Sequence, residues 1–162
     1  MNIDTIINKS RPAEILLVED NRGDVILAKK AFGKAKISNH IAVASNGVQA
    51  LAMLRREGQY ENAVTPDIIL LDLNLPKKNG LAVLEEIKSD PVLKHIPVVI
   101  LTSSRAEIDV VKSYNLHANS YLIKPVDLEK FSETVASLEK FWFSLVVLPD
   151  DMATKEVSKH HD

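Results

Sequence analysis

Short apolar runs alternate along this chain with stretches whose apolar residues recur every three or four positions, and the alternation repeats five times. Glu14 to Val18 predicts a buried strand that ends in Glu19-Asp20-Asn21, and Val25, Ala28 and Phe32 then mark a helix closing near Gly33. His40 to Ala44 reads as a second strand, and Asn46-Gly47 opens a helix through Leu51 and Leu54 that stops by Gly58. After a polar connection from Gln59 to Pro66, Asp67 to Leu71 is almost wholly apolar, as expected of a central parallel strand covered on both faces. The remainder predicts a helix over Leu81 to Lys88, strands at Pro97 to Leu101 and Ser120 to Ile123, a helix from Ala106 to Tyr114, and a last helix from about Asp127 beyond Trp142. Five strand–helix pairs imply an α/β fold, a doubly wound parallel sheet with helices on both faces.

Composition narrows this picture. With 46% hydrophobic and 26% charged among 162 residues, one domain is expected: an extension over 1–11, a folded unit over 12–148, and a disordered polar tail over 149–162. Zero cysteines exclude thiol catalysis and cysteine-bound zinc, and suit a reducing cytoplasm. A net charge of −2 without a long basic run argues against nucleic acid, and no apolar stretch approaches a membrane span. The N-terminus lacks the apolar core of a signal peptide.

Ligands of open α/β sheets bind beyond the carboxyl ends of the strands, so the polar residues there carry the chemistry. They are Glu19-Asp20 after the first strand, Asp72 after the third, Thr102 after the fourth and Lys124 after the fifth. Carboxylates crowded on one rim repel unless a cation intervenes, and all-oxygen ligation favours magnesium. Asp72 can then attack phosphorus to form an acyl phosphate, while Thr102 and Lys124 hold the phosphoryl oxygens.

These residues resemble the receiver domain of two-component response regulators: the pair Glu19-Asp20, Asp72 in LLDLNLP, Thr102 in ILTSS, and Tyr121 and Lys124-Pro125 in YLIKP. Thr102 follows Asp72 by 30 residues and Lys124 follows Thr102 by 22, both usual for that family. The resemblance implies a flavodoxin-like five-stranded sheet of order 2-1-3-4-5 and a phosphoacceptor Asp72. It also implies Mg2+ held by Glu19, Asp20, Asp72 and the backbone carbonyl of Asn74, a switch pair Thr102 and Tyr121, and a sensor histidine kinase as phosphodonor. Asn74 and Ser104 stand where the family adjusts acyl-phosphate hydrolysis. The long Gln59 to Pro66 connection and the end LEKFWFSLVVLP are similar to the phytochrome-associated receivers, which implies a phytochrome-type kinase.

Plainer roles stand beside these. Asp20 also suits a helix cap, Glu19 a group supporting the ligands, Asp72 a turn before Pro76, and Asn74 and Ser104 simple solvation. No histidine has an evident partner. An aspartyl phosphatase would carry a second acid where Asn74 stands, and a flavin carrier would replace Glu19-Asp20 with a Ser/Thr/Gly-rich phosphate loop. With no output domain expected after the tail, the consecutive rings Phe141, Trp142 and Phe143 acquire meaning. One helix face cannot bury all three, so either the chain's own end covers them or a homodimer does.

Overall fold

The computed structural model describes residues 11–116, 118–124 and 127–142. Strands β1 (Ala13–Val18), β2 (Asn39–Ala44), β3 (Ile68–Asp72), β4 (Val98–Thr102) and β5 (Ser120–Ile123) alternate with helices α1 (Arg22–Gly33), α2 (Gly47–Arg55), α3 (Gly80–Ser89), α4 (Arg105–Ser113) and α5 (Leu128–Trp142). All strand pairs are parallel and the sheet order is β2-β1-β3-β4-β5. The expected flavodoxin-like receiver arrangement is therefore the observed one.

Strand alternation divides the core into two layers. Leu16, Val18, Ile69, Leu71, Val98 and Ile100 face Leu51 and Leu54 of α2, Val83, Leu84 and Ile87 of α3, and Val111 of α4. Their sequence neighbours Ile15, Leu17, Leu70, Val99 and Leu101 pack on the other face against Ala28 and Phe32 of α1 and Phe131, Val135 and Leu138 of α5. Phe32 and Phe131 join the two helices edge to face, with ring centroids 6.3 Å apart. Every residue of β3 and β4 is buried, because each strand has a neighbour on both edges and helices on both faces.

Two glycines let the loop after β3 lie close. A Cβ on Gly80 would sit 2.3 Å from the Asp72 carbonyl oxygen and 2.5 Å from Leu73 Cα. One on Gly47 would sit 2.2 Å from the Lys78 carbonyl oxygen. The start of α3 is thereby pressed against the end of β3, and Gly80 N–H donates to the Leu73 carbonyl at 3.0 Å.

Some local expectations change. The Gln59–Pro66 connection is preceded and entered by a 3-10 turn, Gly58–Tyr60, and the Tyr60 hydroxyl accepts a hydrogen bond from Gln49 Nε2 at 3.0 Å. His40 does have a partner: parallel register sets it beside Glu14, and its Nδ1 lies 3.0 Å from Glu14 Oε1. Arg11, assigned to the extension, is joined to Asp67 at the approach to β3 through two bonds of 2.8 and 2.9 Å. Residues 1–10, His117, Pro125 and the tail with His160 and His161 lie outside the described residues.

Candidate functional site

The strand registers pair Val18 with Leu71, Asp72 with Leu101, and Thr102 with Ile123, so the carboxyl ends of β1, β3, β4 and β5 finish along one rim. The rim adjoins the point where the chain order reverses, since β2 and β3 flank β1 on opposite sides. Glu19, Asp20, Asp72, Thr102 and Lys124 all arrive there, as the strand-end reading expects.

Glu19 follows β1, and its backbone N–H donates to the Ala44 carbonyl at 3.0 Å, which extends the pairing by one residue. Its side chain is only 1% exposed. Glu19 Oε1 accepts from the Asn21 backbone N–H at 3.1 Å, and both its oxygens accept from Lys124 Nζ, at 3.1 and 2.9 Å. Asp72, equally buried, accepts the Asn74 backbone N–H on Oδ1 and Lys124 Nζ on Oδ2, each at 2.9 Å. Lys124 Nζ also lies 3.0 Å from Asp24 Oδ2, so one ammonium bridges three carboxylates. Its own backbone N–H donates to the Thr102 carbonyl at 2.7 Å, fixing where the side chain starts.

This environment moves the protons. Burial pushes the Glu19 carboxyl up to about 7, with the Asp72 charge adding to the effect and Lys124 opposing it. Burial acts to lower Lys124, yet its bonds to Glu19, Asp72 and Asp24 outweigh that and raise the ammonium above its ordinary range. One oxygen each from Glu19, Asp20 and Asp72 lie within 4.8 Å of one another. A hard divalent cation fits this set: the donors are all carboxylate oxygens, two of the groups are buried, and the exposed Asp20 leaves a side where water can complete the shell. When bound, such an ion offsets the carboxylate repulsion and draws the oxygens of an incoming anion to the rim.

Thr102 is fully buried at the end of β4, and its hydroxyl donates to Glu107 Oε2 at 2.7 Å. The neighbouring Ser103 hydroxyl donates to Glu107 Oε1. Burial acts to raise the Glu107 carboxyl, but the donors Ser103, Thr102 and Asn74 hold it below its ordinary value. Ser104 is the N-cap of α4, its hydroxyl accepting the Glu107 N–H at 3.3 Å. Asn21, rather than Asp20, caps α1, which leaves the Asp20 side chain to the carboxylate cluster.

Tyr121 pairs in register with Ile100 and packs, half-buried, on the α3–α4 side of the sheet. Lys112 Nζ of α4 sits 5.6 Å above its ring. Asp24 and Glu107 are site residues that strand-end reasoning passes over, because each is carried by a helix. Their signals are local: Asp24 in the first turn after Asn21, and the spacing Ser104-x-x-Glu107 of a helix start. Phe141 and Trp142 belong to the last turn of α5, while Phe143 lies outside the described residues.

The geometry has counterparts. A family model described as the response regulator receiver domain matches residues 15–136. The chain is 46% identical over 138 residues to response regulator Rcp1 of a Synechocystis species, covering 85% of this chain and 94% of that protein. Its backbone resembles the crystal structure of the phosphorylated cyanobacterial phytochrome response regulator RcpA, with a TM-score of 0.74, 46% identity and coverage of 84% of this chain and 97% of that one. The Mn(2+)-bound form of Rcp1 superposes with a TM-score of 0.72 at 46% identity, covering 83% and 97%. No helix among the described residues is long and apolar enough to cross a membrane.

Proposed function

The chain belongs to the response regulator receiver domain family, and on that premise we propose that Asp72 accepts a phosphoryl group from a phytochrome-type sensor histidine kinase. A carboxylate oxygen of Asp72 forms the new P–O bond while the P–N bond of the donor phosphohistidine breaks and its electron pair returns to the imidazole. The observation that carries this reading is the Lys124 ammonium between Asp72 and Glu19, beside three carboxylate oxygens gathered within 4.8 Å.

Each residue has a part in the step. Asn74 N–H holds Asp72 Oδ1, which leaves Oδ2, now on Lys124, to turn toward phosphorus. Lys124 loses little by that exchange, since a phosphoryl oxygen replaces the carboxylate oxygen as its acceptor. Mg2+ is the proposed ion, with Glu19, Asp20, Asp72 and the Asn74 backbone carbonyl as its ligands. Thr102 supplies a hydroxyl donor to the phosphoryl group, and Tyr121 follows it inward and alters the α4–β5–α5 face.

The proposed unit spans 12–148 and acts in the cytoplasm, away from nucleic acid and membrane. Its output is proposed to be self-association through Phe141, Trp142 and Phe143, three consecutive aromatic residues of the sequence. The test of the phosphoacceptor is acetyl phosphate labelling with Mg2+: the parent chain takes one phosphoryl group and Asp72→Asn takes none. Equal labelling of the two refutes the assignment.

A further inference from the structure

Glu107 occupies a place that the phosphoacceptor reading leaves without a function. Its carboxylate, on the first turn of α4, receives the hydroxyls of Thr102 and Ser103. These donors come from the end of β4, not from its own helix. Thr102 and Asn74 flank the same rim as Asp72, and they are the neutral donors a phosphoryl group there would call on.

A threonine hydroxyl carries one hydrogen. Thr102 can therefore donate to Glu107 or to a phosphoryl oxygen, but not to both. We propose that Glu107 is a positioning residue acting through Thr102: its carboxylate, at 2.7 Å against 3.3 Å for the Ser104 carbonyl, is the nearer acceptor that holds the Thr102 hydroxyl in the resting chain and that a phosphoryl group on Asp72 must displace. This rests on the phosphoacceptor reading and deepens it. The same helix carries Lys112 over the Tyr121 ring, so both members of the proposed switch pair are held by α4 before phosphorylation.

The competition is thermodynamic, so it is read as affinity for a phosphoryl mimic. Beryllium trifluoride is titrated with Mg2+ onto the full chain, and Asp72→Asn must abolish binding. Glu107→Ala should raise the affinity about ten-fold, and Glu107→Gln, which keeps a weaker neutral acceptor, by less. In a Thr102→Val background, or Thr102→Ala if the valine variant misfolds, Glu107→Ala should change nothing. Without Mg2+ or mimic, the Thr102 methyl resonance of Glu107→Ala should move toward its position in the mimic-bound parent. Equal affinities in parent and Glu107→Ala, an undiminished gain without the Thr102 hydroxyl, or an unmoved resonance would each overturn the proposal. A parent chain that never binds the mimic overturns the phosphoacceptor reading, and this inference with it.

Discussion

Replacing Glu19 by Gln should stabilise the cation-free protein at alkaline pH and weaken its response to Mg2+. The folded chain raises the Glu19 carboxyl from 4.5 to about 7 because the group is buried beside Asp72. A raised carboxyl binds its proton more tightly folded than unfolded, so the associated stability is fully present below about 4.5 and is lost progressively as pH rises to about 7. The difference corresponds to about 3 kcal/mol, all of it expressed at pH 8. Glutamine has no charge to desolvate, although it leaves Lys124 with only Asp72 and Asp24, so the net gain should be nearer ~2 kcal/mol. Urea unfolding in EDTA at pH 5 and pH 8 measures it: the parent should lose stability relative to Glu19→Gln between the two. With Mg2+ at a hundred times its dissociation constant the parent should gain about 2.7 kcal/mol, and the variant clearly less. A parent and variant whose stabilities run parallel from pH 5 to pH 8 would refute the burial argument.

Gly80→Ala should destabilise by about 3 kcal/mol, because its Cβ would overlap the Asp72 carbonyl; a melting temperature unchanged in differential scanning calorimetry would show that α3 can retreat freely. Thr102→Ala should still accept phosphate at Asp72 but lose the phosphorylation-dependent change in partner affinity, measured by calorimetric titration; a parental response would break the coupling to Tyr121. Replacing Phe141 and Phe143 with Ser and Lys should give a folded monomer that still labels at Asp72, whereas a parent chain that sediments as a monomer at tens of micromolar, with and without phosphate, removes the dimer.

The sequence made the sheet legible because β3 and β4 are covered on both faces and so read as unbroken apolar runs bounded by Pro and polar residues. The candidate site was legible for a related reason: parallel strands all end on one rim, so each residue just past a run is a neighbour of the others. What escaped depends on pairing that no local pattern encodes. His40 meets Glu14 only through the β1–β2 register, and Arg11 meets Asp67 only because β1 lies beside β3. Glu107 reads as an ordinary residue of a helix start until the end of β4 brings the hydroxyls of Thr102 and Ser103 to it.

The central claim is that Asp72 is the phosphoacceptor and that a divalent cation on the carboxylate cluster enables it. Mass spectrometry of the parent chain after treatment with acetyl phosphate tests both parts at once. The account predicts a single phosphoryl group on Asp72 with Mg2+ and none in EDTA. Label on a serine, threonine or histidine, or label on Asp72 undiminished by EDTA, would contradict it.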